Sequence, residues 1–170
     1  MERPKQLPQH VQSELAKRHK AAATTVAGLL IATVLLSIVA YLGKRFFTQQ
    51  QNPSLDIGLR IAILILGLGA IALRRTKFST MRLQDIGALS GATGLLRTLE
   101  KTTIQLALLG AGIAALGFIG TLVTGNEIYT YWAGLIAVVV LLYSYPSRTA
   151  WTRTLQLFTP DQAEMTPAGS

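Results

Sequence analysis

AAATTVAGLLIATVLLSIVAYLG, from Ala21 to Gly43, runs for 23 residues without a charge. A helix rises about 1.5 Å per residue and a hydrocarbon core is about 30 Å thick, so about 20 apolar residues cross it. Three further blocks have this character. Ile57 to Leu73 has 17 residues and one Arg, Thr102 to Thr124 has 23 and no charge, and Ile128 to Tyr145 has 18 and no charge. None keeps a polar face as wide as a helix in water requires. The expected fold is therefore all-α. It is a polytopic membrane protein with four transmembrane helices as two hairpins and short juxtamembrane or interfacial helices on the cytoplasmic side.

The connections shape this layout. Residues 44–56 carry Asn52-Pro53, a turn signal. Gly125-Asn126-Glu127 alone joins the last two blocks, which makes a tight helical hairpin. Residues 74–101 form the longest connection, and Leu83, Ile86, Leu89 or Ser90, and later Leu95, Leu96 and Leu99 give it a partly amphipathic pattern. An interfacial helix fits, with a break expected near Gly91-Ala92-Thr93-Gly94. Residues 8–20 read as a second short helix that continues into the first block. The domains are a basic tail over 1–20, the transmembrane domain over 21–145, and a flexible tail over 146–170. The first block is longer than a signal-peptide core and follows a charged stretch, so it reads as a retained anchor. Lys20 superposes on Lys101 when the first block is laid on the third, a faint sign that the two hairpins are parallel repeats.

Charge gives the sidedness. The formal net charge is +8, from 16 Lys and Arg against 8 Asp and Glu. Arg3, Lys5, Lys17, Arg18 and Lys20 precede the first block. Arg74, Arg75, Lys77, Arg82, Arg97 and Lys101 lie in the long connection, and Arg148 and Arg153 follow the last block. The opposite side has only Lys44 and Arg45, with Arg60 just inside the second span. The positive-inside rule then places both termini in the cytoplasm of a bacterial inner (plasma) membrane. Basic residues that hug the ends of apolar spans fit anionic lipid better than nucleic acid, and no nucleic-acid partner is expected. The aromatics follow the same layout. Tyr41, Phe46, Phe47, Tyr129, Tyr131 and Trp132 are expected at the outer interface, and Tyr143, Tyr145 and Trp151 at the inner one.

Small residues mark helix faces that can approach closely in lipid. Ala107, Gly110, Ala111, Ala114, Gly117 and Thr121 recur at three and four in the third block. The first offers Gly28, Ala32, Ala40 and Gly43, and the second Gly58, Ala62, Gly69 and Ala72.

Sites for chemistry are scarce. The chain has no cysteine, which excludes disulfides, thiolate metal sites and a Cys nucleophile. His10 and His19 both lie in the N-tail, nine residues apart, and are expected in solvent. The eight carboxylates all lie outside the apolar depth. GALSGATG lacks the Gly-Lys-Ser/Thr of a phosphate loop, and Gly110-x-Gly112-x-x-Ala115 lies within an apolar helix where a dinucleotide motif needs a strand. No enzyme activity, metal or cofactor is expected. Polar contacts are placed at Asp56 and Arg60, an acid-first pair four apart, and at Gln105. The expected role is non-catalytic, as a structural, assembly or regulatory protein that packs with itself or a partner complex. The rival reading is an oligomeric transporter or channel subunit using Thr33, Ser37, Gln105 and Thr121. A second rival, a lipid-active enzyme, would have to use Asp85 and Glu100.

Overall fold

The computed structural model describes residues 8–43, 53–77 and 80–158. They form five helices and no strand: α1 Gln9–Gly43, α2 Pro53–Lys77, α3 Thr80–Thr124, α4 Ile128–Ser144 and α5 Arg148–Phe158. Three of these, α1, α2 and α3, are long and apolar enough to cross a membrane. α4, with 17 residues, reaches that measure only together with α5, which bends away from it by 47°. Phe46, Phe47, Lys44, Arg45 and Asn52 lie outside the described residues, as do the tail positions 1–7 and 159–170.

α1 has 35 residues and rises about 52 Å, well beyond a hydrocarbon core. The helix expected over 8–20 is the first third of α1 and runs without a break into the apolar block. α3 is interrupted once, at Gly91, where φ is 60° and ψ −164°. That region is essentially closed to residues with a Cβ, so glycine lets the chain turn there. The segment from Ala92 to Thr124 then rises about 50 Å as one helix.

α3 and α4 form the centre. α1 packs on both, and so does α2. α1 and the long part of α3 run in the same direction. Arg18 meets Glu100, and Val26 shares a small core with Ala107, nearly the register in which Lys20 superposes on Lys101. α2 and α4 run back. Two ends follow. One, here the hairpin end, holds the start of α2 and the α3–α4 turn. The other, the basic end, holds Lys20, Lys77 and Lys101.

The α3–α4 turn is closed by hydroxyls and one glycine. Gly125 adopts φ 68° and its N–H donates to the Thr121 carbonyl at 2.8 Å, ending α3 in a left-handed cap. Asn126 Oδ1 accepts from the Ile128 N–H, and Thr124 Oγ1 accepts from the Asn126 N–H. The buried hydroxyls of Thr121 and Thr130 lie 2.7 Å apart.

At the basic end, three elements build a headpiece. Val11, Leu15 and Ala22 of α1, Leu83, Leu95, Leu96 and Leu99 of α3, and Trp151 and Leu155 of α5 form one buried cluster. Two expectations are corrected here. The residues after the break at Gly91 lead directly into the apolar block, as expected, but they do not lie as an interfacial helix on a membrane surface. They are continuous with the rest of α3, and their leucines bury against α1 and α5. The tail over 146–170 is not flexible throughout. After Pro146 the chain folds into α5, because Trp151 and Leu155 lie one turn apart and cover the headpiece core.

The rest of the bundle wears an apolar coat. Leu35 (55% exposed), Leu68 (68%), Leu108 (57%) and Leu135 (58%) stand for a belt that covers the outward faces of all four long helices. A patch of this extent is not tolerated by a monomer in water.

Candidate functional site

Three arrangements could carry function: the headpiece junction, the small-residue faces, and the grooves between helices.

The junction ties the three parts of the headpiece together. Arg18 donates to Glu14 one turn earlier and to Glu100 of α3 at 2.7 Å. The hydrogen bonds that Arg18 donates to Glu14 first and Glu100 second raise its pKa, against a smaller desolvation effect. Thr93 Oγ1 reaches Glu14 at 3.5 Å, the limit of a hydrogen bond. His19, expected in solvent, packs edge-on against Trp151 with ring centres 5.7 Å apart, and its Nε2 lies 3.0 Å from the Pro146 carbonyl. Trp151, expected at the membrane interface, is instead 4% exposed inside the headpiece. A single signal was present for part of this. Glu14 and Arg18 stand in the acid-first i,i+4 spacing. Nothing in the sequence paired them with Glu100 or His19 with Trp151, since those contacts depend on the chain returning.

The small-residue faces divide. On α3, Ala107, Gly110, Ala114, Gly117 and Thr121 are all buried. A Cβ on Gly117 would stand 2.2 Å from the Ala133 Cβ and 2.8 Å from the Tyr129 carbonyl oxygen. Gly110 faces Leu141 and Val140 of α4. This face therefore holds α4 within the same chain. On α1 and α2 the expected faces are not seams inside the chain. Gly28 and Ala32 are exposed, and only Ala40 is buried at that spacing. α1 instead buries Val11, Leu15, Ala22, Val26, Thr33 and Ala40. On α2, Gly58, Ala62, Gly69 and Ala72 are all exposed, and a Cβ on Gly58 or Gly69 would meet nothing within 4 Å. α2 turns Ile63, Gly67 and Ala70 inward.

The polar positions do not converge. Arg60 pairs with Asp56 at 2.9 Å on the surface of α2, and Tyr129, buried within the bundle, donates to the Asp56 carbonyl. Gln105 lies towards the other end of the molecule, where it lines one groove together with Lys77. Thr33 and Ser37 donate to carbonyls of their own helix, and Thr121 donates to Asn126. Asp85 is exposed, and Glu100 is engaged by Arg18. Among the described residues no three His, Cys, Asp or Glu side chains gather as metal ligands would. Arg74, at the end of α2, stacks on the Tyr143 ring of α4 at 3.7 Å.

Two grooves run between helices. One, of about 460 Å³, lies between α1 and α4 towards the hairpin end, against Val34, Ile38, Tyr41 and Leu135. The other, of about 700 Å³, lies between α2 and α3 towards the basic end. Known protein families, curated proteins and solved structures provide no match to this chain.

Proposed function

We propose that the chain is a small integral membrane protein with a non-catalytic structural, assembly or regulatory role, exercised by helix packing with itself or with a partner complex. In this reading α1, α2, the long part of α3 and α4 cross a bacterial inner membrane as two hairpins. The basic end faces the cytoplasm, in keeping with the positive-inside rule, and meets anionic lipid there.

The outward stripe on α2 carries the proposal. In lipid, helices associate through close contact of small residues because the tails are as apolar as leucine. Gly58, Ala62, Gly69 and Ala72 present such a surface on the side of α2 turned away from Ile63 and Gly67. At 100° per residue the four fall within about a quarter of the helix circumference. Among the described residues no helix covers them. The interior supports the non-catalytic part. The buried hydroxyls are spent on main-chain carbonyls: Thr33, Thr124 and Ser144 donate within their own helices, Thr121 donates to Asn126 in the turn, and Thr130 of α4 donates across to Gly117 of α3.

Because the natural chain has no cysteine, each introduced one is unique. Oxidative crosslinking in native membranes should give a dimer or one defined heavier adduct from Ala62→Cys and Gly69→Cys. Leu64→Cys, on an exposed face about 160° round the helix from Ala62, should give much less. Equal crosslinking at all three positions, or none, would count against the stripe as a contact face.

A further inference from the structure

We propose that the groove between α2 and α3 is a binding site for one anionic phospholipid of the leaflet at the basic end. An acyl chain would lie along the groove, and the phosphate would rest between the Lys77 ammonium and the Gln105 amide. The inference rests on the membrane reading above and adds a ligand to it.

The chemistry of the lining points to this ligand. The groove holds about 700 Å³, within the range of small-molecule sites. Leu66, Leu109, Gly112 and Leu116 line its length, and Lys77 and Gln105 lie at one end. From Gln105 to Leu116 the α3 helix rises about 16 Å, which leaves room for an extended acyl chain. Gly112 keeps the floor low, since a Cβ there would meet nothing within 4 Å. A long apolar trough with a cation and an amide at one mouth matches a tail joined to a phosphate.

Charge complementarity selects the anionic class. Lys77 sits in the last turn of α2 with Arg74 and Arg75. Lys101 lies one turn before Gln105 on the same face of α3 and is exposed. Each basic residue near an anionic headgroup is worth about a fivefold preference. The groove between α1 and α4 serves as an internal contrast. It is also apolar, but its lining has tyrosines and a serine and no Lys or Arg, so lipid there should show no headgroup preference.

Native mass spectrometry of the full chain tests this, after exchange into an equimolar mixture of phosphatidylglycerol and phosphatidylcholine in mild detergent. The wild type should retain one phosphatidylglycerol per chain, favoured at least ~5-fold over phosphatidylcholine. Lys77→Glu should bring that ratio to about one. Gly112→Leu should remove the retained lipid of either kind without lowering the thermal unfolding temperature, because its side chain fills open groove. Arg60→Gln, at the other end, should leave the ratio unchanged. A wild-type ratio near one would overturn the proposal, as would a preference that survives both Lys77→Glu and Gly112→Leu. A chain that stays folded and lipid-free after detergent removal would overturn the membrane reading itself. A chain that needs detergent yet shows no preference would overturn this site alone.

Discussion

The headpiece and the apolar bundle share α1 and α3, yet they pack with different residues. The headpiece core is made of large side chains: Leu95, Leu96, Leu99, Leu155 and Trp151. The α3–α4 seam depends on small residues of α3 that let α4 approach, with Gly117 against Ala133 and Tyr129, and Gly110 against Val140 and Leu141. On the proposed membrane reading, the difference is that of two solvents. In water a buried leucine stabilises by about 2 kcal/mol through the area it removes from solvent. In lipid that gain vanishes, and what remains is close contact and hydrogen bonding. Arg18, Glu14 and Glu100 fit the watery side, where an ion pair can be half exposed. The Thr121–Thr130 hydroxyl pair fits the apolar side, where polar groups must be satisfied within the protein.

The largest effect that would sharpen this contrast is expected from Leu96→Ala. Leu96 is fully buried in the headpiece, so its truncation should cost about 2–5 kcal/mol there. Hydrogen exchange should quicken over Val11–Leu15 and Trp151–Leu155 and stay slow across the α3–α4 hairpin. Exchange that rises equally in both regions would show that they unfold as one unit.

Next comes a pair of identical changes on one helix. Gly117→Ala places a methyl against Ala133 and should cost about 1–3 kcal/mol, read as a lower unfolding temperature in detergent. Gly112→Ala meets open space and should leave that temperature unchanged or slightly raised. Equal responses would break the claim that the seam depends on close approach.

The smallest effect should come from Arg18→Gln, at about 1 kcal/mol, since the pair is partly exposed to solvent. Its pH behaviour follows from the raised Arg18 pKa. A base whose folded value is raised contributes stability that is complete below its unfolded value and is lost only as pH rises through the folded one. For an arginine that window lies in strong alkali. The difference between Arg18→Gln and wild type should thus be constant from neutral to mildly alkaline pH, checked by thermal unfolding at several pH values.

How much of this was legible in the sequence depended on the solvent as well. Block length gave the long helices, Gly125-Asn126-Glu127 gave the tight turn, and the run from Gly91 to Gly94 gave the break in α3. The N-tail helix was legible because Val11 and Leu15 keep helical spacing into α1. The inward face of each apolar helix was not. Lipid-facing and buried positions are equally greasy, so the spacing of Gly28 and Ala32, or of Gly58 and Gly69, identified a stripe without saying which way it turned. α5 was missed because its two anchors, Trp151 and Leu155, gain meaning only beside His19 and Leu96, more than fifty residues away in the chain. The Lys77–Gln105 groove was hidden for the same reason, its walls coming from two helices.

One accessibility experiment tests the central claim directly. Ala16, Leu35 and Leu68 are all exposed on the protein surface, and they differ only in the solvent assigned to them. In sealed, inverted membrane vesicles a membrane-impermeant thiol reagent should label Ala16→Cys fully and leave Leu35→Cys and Leu68→Cys unlabelled until detergent is added. Prompt labelling of all three in intact vesicles would contradict the account, because it would put water where lipid is claimed.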